Sequence, residues 1–272
     1  YSYGFDDLER GDFEAALFTT TYQPTDPQVI LLTAYLEAKL KQGTSFEQML
    51  QDLDRSNLIP VPRTNEVQVR GVGGSWMNNV PPALRRRVEA FLSRASHVVE
   101  RSQPTGRPIR FASLQPNAFH VIQLYRLSDE EKRLVVNAVI REISQGLERP
   151  GRHVDRVLVI ADELNKYAPS GARSPMKEQI IDIVARGRDL QLTLIGAQQF
   201  ASRVDEEVYG NCETKVVGYT DESELTNPIY KYLGALREQV PNLKKGQLIL
   251  KHPVYPSPLI IWFPTPLHEM RP

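Results

Sequence analysis

From about residue 117 onward, short apolar runs alternate with longer amphipathic ones, and this alternation limits the fold more than any other feature of the chain. The runs 119–124, 156–161, 191–196 and 214–218 have the length and the β-branched content of buried strands. Between them, Ser128-Asp129-Glu130-Glu131 fits a capping box that opens a long helix with Leu134, Val135, Ala138, Val139 and Ile143 on its apolar positions. Residues 175–188 predict a further helix, 205–209 a short one, and 221–238 contain more helical segments. Strand and helix in strict alternation predict an α/β fold with a mostly parallel sheet and helices on both faces. The last two strands, 246–251 and 259–263, are separated by too few residues for a crossover and predict a C-terminal antiparallel hairpin.

The first part of the chain has a different texture. Residues 1 to about 115 read as helices joined by polar turns, so the sequence predicts a helical subdomain over 1–115 and an α/β core over 116–272. A broken helical pattern covers 6–18. A second helix opens at Thr25-Asp26-Pro27, with proline at its first position, and runs to Lys41 with Gly43 as its cap. Thr44-Ser45-Phe46-Glu47 fits a capping box for a third, ending near Asp54. Residues 57–79 are rich in Pro, Gly and Asn and hold a short strand at 66–69. Helix returns over 82–101, with Val88, Phe91, Leu92, Ala95, Val98 and Val99 on one face.

Composition narrows the function little. The chain has 272 residues, 41% of them hydrophobic, enough to bury a sizeable core. Lys plus Arg and Asp plus Glu are equal at 33 each, so global charge marks neither a nucleic-acid nor a membrane binder. The single cysteine, Cys212, forms no disulfide within the chain, which fits a reducing cytoplasm. No apolar run approaches the roughly 18 residues that span a bilayer. The opening Tyr1-Ser2-Tyr3-Gly4 has no initiator methionine, and further residues are expected before it.

Chemistry concentrates where the strand runs end. Val157-Leu158-Val159-Ile160-Ala161-Asp162-Glu163 is a buried strand running into two adjacent acids. At the carboxyl end of a parallel strand such acids emerge where nucleotides bind. An aspartate there holds magnesium, and a following glutamate orients and activates water. The alternative is a strand that ends in two solvated acids. Ala185-Arg186-Gly187-Arg188-Asp189 closes the next helix. An arginine here can neutralise charge on a phosphate, although cations also favour a helix C-terminus. Two positions apart on a helix, Arg186 and Arg188 point in different directions, so at most one serves. Leu192-Thr193-Leu194-Ile195-Gly196-Ala197-Gln198-Gln199 ends a strand in an amide that can donate to phosphate and accept from water. Asn211-Cys212-Glu213-Thr214-Lys215 leads into a further strand and means little alone.

In this order, acid pair, Arg-Gly-Arg helix, strand to glutamine and Asn-x-x-Thr-Lys strand, the chain resembles the second half of the HerA/FtsK family of P-loop motors with a RecA-like core. The likeness is good over 115–265 and modest before it, where Tyr3-Gly4-Phe5-Asp6-Asp7-Leu8 and the helices that follow resemble the family's helical insertion. It assigns Asp162 to Mg²⁺ and Glu163 to water activation as the Walker B pair. It makes Arg188 the arginine that reaches a neighbouring subunit, with Arg186 as second choice, and Gln198 the phosphate sensor. It implies ATP as cofactor, a homo-oligomeric ring (most simply a hexamer), double-stranded DNA as track, and a NurA-type nuclease or an antiviral effector as partner. A TraG-type conjugation or secretion motor and a catalytically silent ring scaffold are the alternatives. The family's phosphate loop, G-x-x-x-x-G-K-[ST], occurs nowhere in the 272 residues and is expected before Tyr1. Gly71-Val72-Gly73-Gly74-Ser75-Trp76 lacks its lysine and reads as a turn.

Other polar residues take ordinary readings. His97, His120, His153, His252 and His268 have no metal-ligand spacing, and His120 is expected to pack within its strand. Cys212 reads as a small buried residue. Arg85-Arg86-Arg87 reads as a solvated helix face rather than a DNA contact.

Overall fold

The computed structural model of the chain describes residues 1–18, 23–171 and 174–264. They form two compact units. The first contains the chain up to Val159 and the segment that ends at Thr193, and the second contains Ile160–Gly171 and the segment from Leu194.

In the first unit, helix α1 (Arg10–Leu17) follows a 3-10 turn at Phe5–Asp7. Helix α2 (Pro27–Lys39) starts as the sequence predicts, with the Asp26 carboxylate accepting from the Gln28 amide and proline at the first position. It stops two residues short of Lys41. The Asp6 carboxylate accepts from the amides of Lys41 and Gly43, each at 2.8 Å, and the chain turns at Lys41 with φ 61°. Helix α3 (Phe46–Asp52) is capped one residue later than expected, by Ser45 accepting from Gln48 rather than by Thr44. The Thr44 hydroxyl instead donates to the Lys39 carbonyl. Strands β1 (Ile59–Pro60), β2 (Glu66–Gln68) and β3 (Trp76–Met77) form a small antiparallel sheet. Helix α4 (Val80–Arg94) ends before Val98 and Val99. Those two residues are buried, but in a turn and the bridge residue after it, which bracket Tyr3: the Tyr3 amide donates to the Val98 carbonyl and the Glu100 amide to the Tyr3 carbonyl.

Helix α5 (Asp129–Glu148) opens with the capping box the sequence predicts: Ser128 accepts from the Glu131 amide, and Glu131 accepts from the Ser128 amide. Strand β4 (Val157–Asp162), helix α6 (Pro175–Leu190) and strand β5 (Leu192–Ala197) follow. Helices α1, α5 and α6 pack together. The rings of Phe5, Phe13, Tyr35, Phe46 and Phe91 fill the helical core, with centroids 5.0–6.3 Å apart. A polar cluster is sealed among these helices. Asp12, fully buried, accepts from Arg141 Nε at 2.9 Å and from Asn137 Nδ2 at 2.7 Å. A buried carboxylate is tolerated only when paired in this way.

One expected strand is absent. Residues 119–124 form no ladder, and Phe119 and Val121 are 95% and 83% exposed. The segment has strand composition, but among the described residues no strand pairs with it, and a strand without a ladder is not stable in water. His120 is accordingly exposed rather than packed, and its Nε2 accepts from the Gln115 amide.

In the second unit, helix α7 (Glu206–Asn211), strand β6 (Lys215–Val217) and helix α8 (Glu222–Leu225) precede a kinked 3-10 segment, Pro228–Asn242, with Gly234 at φ 54°. Strands β7 (Gln247–Lys251) and β8 (Leu259–Trp262) form the antiparallel hairpin the sequence predicts, and β6 pairs with β7, also antiparallel. Ala201, Val217, Leu225, Tyr230, Leu233, Val240 and Ile249 make the core of this unit.

Candidate functional site

The Val157 amide donates to the Gln191 carbonyl at 3.1 Å, which sets the starts of β4 and β5 side by side. The two strands are hydrogen-bonded neighbours, and their adjacent starts make the pair parallel. Each has six residues, so their carboxyl ends are level. Asp162 is the last residue of β4, exposed, with Oδ1 accepting from the Glu163 amide at 3.0 Å. Glu163 adopts φ 54°, ψ 49°. For an L-residue this left-handed conformation costs about 1–2 kcal/mol, and such strain gathers at functional sites. A 3-10 turn follows at Leu164–Lys166, and Lys166 Nζ lies 2.5 Å from Glu163 Oε2. Leu164 is buried against Gly196 of β5, where a Cβ would collide with the Leu164 side chain.

Gln198 stands one residue beyond β5. Its Oε1 is buried, and among the described residues no donor reaches it. A buried acceptor without a donor is uncommon in native proteins and marks a position where a donor is expected. The loop after Glu163 and the segment after Gln198 are laced together. The Ser170 amide donates to the Arg203 carbonyl at 2.9 Å and the Asp205 amide to the Ala168 carbonyl at 3.0 Å, around an isolated bridge between Pro169 and Val204. Asp162, Glu163 and Gln198 therefore share one small, internally bonded part of the second unit.

Arg186 and Arg188 belong to α6, in the first unit. The helix continues to Leu190, so both arginines are helical and diverge. Arg186 is held on its own chain by Glu148 at 2.6 Å and Asp182 at 3.1 Å. The hydrogen bond it donates to Glu148 and the charge of Asp182 raise its pKa further. Gly187 between them has a packing reason: a Cβ there would stand 2.5 Å from the Leu192 carbonyl oxygen, where the last turn of α6 meets the start of β5.

The remaining candidates have structural roles. Lys215 Nζ donates to the Cys212 carbonyl at 2.5 Å and lies over the Tyr209 ring at 4.8 Å, and burial lowers its pKa. Cys212 Sγ approaches the Val208 carbonyl, and burial pushes the thiol up, which makes it a poor nucleophile. Residues 71–75 lie in the connection between β2 and β3, with Gly71 at φ 72° and Gly74 at φ 99°, and they run into strand β3 rather than into a helix N-terminus that could offer its amides to a phosphate. Arg85 pairs with Asp54 and Glu89, and Arg87 stacks on Phe18, which leaves Arg86 as the exposed member of that run. His268 lies outside the described residues. Lys166 has one signal in the sequence, its position three residues after Glu163.

Among the described residues, no group of three or more His, Cys, Asp or Glu side chains could hold a metal. The Asp162 carboxylate offers oxygen ligands, the ligand type that magnesium takes. No described helix is long and apolar enough to cross a membrane.

No protein-family model matches the chain, and no curated protein does. Among solved structures, the bacterial conjugative coupling protein TrwBΔN70 is similar over 97% of this chain and 71% of its own, at 13% identity and a TM-score of 0.56. The genome packaging NTPase B204 of Sulfolobus turreted icosahedral virus 2 gives partial matches. With AMP bound, it is 19% identical over 52% of this chain, with a TM-score of 0.39. With AMPPCP it is 21% identical over 41%, with a TM-score of 0.36. The chain spans 56–65% of the length of those packaging NTPase structures. The TrwBΔN70 likeness is one of fold, and by it the chain has an α/β core of the RecA-like fold.

Proposed function

We propose that this chain is a subunit of an ATP-driven, ring-forming DNA translocase, with its hydrolytic residues at the carboxyl ends of β4 and β5. The observation that carries the reading is the level ending of these two strands, which brings Asp162, a strained Glu163 and the orphaned amide oxygen of Gln198 into one laced group. Asp162 would hold Mg²⁺, which neutralises charge on the nucleotide phosphates. Glu163 accepts the proton of the attacking water. Gln198 accepts a hydrogen bond from that water and donates its amide to the phosphate. Arg188, with Arg186 as second choice, is the arginine that the family resemblance brings to a neighbouring subunit, where it would neutralise charge on the phosphate. Phosphate binding requires a loop that these 272 residues do not contain, so activity is assigned to a polypeptide that carries one. A hexameric ring, duplex DNA and a nuclease or antiviral effector as partner belong to this reading. The fold likeness to a conjugative coupling protein supports a second, in which the same motor serves conjugation.

The test is turnover by the complete natural polypeptide. Glu163→Gln is expected to bind ATP with near-native affinity and to lose hydrolysis by at least about a hundredfold. Arg188→Ala subunits, inactive alone, should regain turnover when mixed with Glu163→Gln subunits. Native turnover in Glu163→Gln would remove the base from the reading, and intact mixed assemblies that stay inactive would remove the trans arginine.

A further inference from the structure

Glu224 sits on α8, a short surface helix that Asp221 caps by accepting from the Ser223 amide. Its carboxylate nevertheless turns away from solvent. Oε1 accepts from the Ser202 amide at 3.0 Å and from the Tyr230 hydroxyl at 3.1 Å, and Oε2 accepts from the Ser202 hydroxyl at 2.7 Å. Three bonds on one side chain fix it far more firmly than a solvated glutamate, and bonds to an ionised acceptor are the stronger kind. Tyr230 is 3% exposed. Burial, and then the Glu224 charge, push its hydroxyl well above the ordinary range, so it stays a donor.

The held residue, Ser202, is the middle of the 3-10 turn Ala201–Arg203 that follows Gln198. On one side of it Ala201 is anchored in the core of the second unit. On the other, Arg203 and Asp205 are bonded to the loop that descends from Glu163, on either side of the Pro169–Val204 bridge. The segment that carries Gln198 is thus fastened at its far end by two devices, a backbone lacing and a carboxylate clamp. The lacing uses main-chain groups and is indifferent to side chains. The clamp depends on side chains, the Glu224 carboxylate first and the Ser202 hydroxyl with it.

We infer that Glu224 is a positioning residue for Gln198: by gripping Ser202 from α8 it sets how far the Gln198 amide stands beyond the end of β5. This rests on the reading of Gln198 as a group that meets the phosphate or the attacking water. A misplacement of about 1 Å at such a group costs about a hundredfold in rate. A side chain that acts through Gln198 should lower turnover without weakening ground-state binding of ATP.

The experiment is steady-state ATP hydrolysis by the complete natural polypeptide carrying Glu224→Ala, Glu224→Gln, Ser202→Ala, Gln198→Ala and the Glu224→Ala/Gln198→Ala pair. Glu224→Ala is expected to lower kcat about ten- to a hundredfold and to change KM for ATP less than about twofold. Glu224→Gln keeps an acceptor for the Ser202 amide and should recover most of the loss. Ser202→Ala removes one bond of the clamp and should lower kcat by a smaller factor, which keeps the test open if Glu224→Ala does not fold. In the Gln198→Ala background, Glu224→Ala should cost nothing further. An equal loss in both backgrounds, or no loss in either Glu224→Ala or Ser202→Ala, overturns the inference. Glu163→Gln run alongside separates the two levels. If it abolishes turnover while the clamp variants are silent, only the clamp fails; if it and Gln198→Ala both turn over normally, the site itself fails and the clamp with it.

Discussion

Glu163 holds a conformation that an unconstrained glutamate avoids, φ 54° and ψ 49°, and the packing behind it explains how. Leu164 is pinned in the second unit against a β5 residue that has no Cβ, so the chain must turn sharply at Glu163 to place Leu164 inward and the carboxylate outward. Gly196→Ala should therefore push Leu164 off β5. Overpacking of this kind costs about 1–3 kcal/mol, and hydrolysis should fall with it, because the Glu163 turn moves. Urea denaturation and turnover of the variant check both effects; native stability and native turnover would detach Leu164 from the site. At this scale the sequence places Asp162, Glu163 and Gln198 at or just beyond strand ends, because each stands where an apolar run ends. It does not locate the left-handed turn, the Lys166 contact or the two carboxylates on Arg186, since these depend on neighbours that no local pattern encodes.

Secondary elements follow local chemistry until tertiary partners compete for the same groups. The capping box at Ser128 and the proline start of α2 form as written, because cap and helix lie within one turn of each other. The end of α2 moves because Asp6, far earlier in the chain, takes the amides of Lys41 and Gly43. Residues 119–124 fail as a strand for the converse reason: their composition is right and no ladder partner meets them. The packing of α1 on α5 makes the same point in energetic terms. Burial raises the Asp12 carboxyl above its ordinary range, and Arg141, a backbone bond from Glu9 and Asn137 pull against it. Arg141→Met strands that carboxylate and should cost about 3–5 kcal/mol at neutral pH. A raised carboxyl contributes stability at low pH and loses it as pH rises through the shifted value. The deficit of the variant should therefore shrink as pH falls through that raised value and Asp12 takes a proton. Denaturant midpoints across pH measure this, and a deficit that grows on acidification would contradict the assignment.

For the molecule as a whole, the alternation of strand and helix was enough to give the α/β class and the C-terminal hairpin, because both follow from period and spacing. The contents of the two compact units were not legible, since β4 and β5 each begin among the residues of one unit and end among those of the other. Neutral overall charge neither requires nor forbids DNA, so the track of the proposed motor has to be established by measurement. The most direct measurement is ATP hydrolysis by the complete natural polypeptide, with and without duplex DNA, in its native form and as Glu163→Gln. A DNA-driven motor should turn over several-fold faster with duplex DNA, lose that stimulation as salt rises, and show none of it in Glu163→Gln. Assembled protein that hydrolyses ATP in neither condition, or whose Glu163→Gln form hydrolyses it as the native form does, would contradict the account.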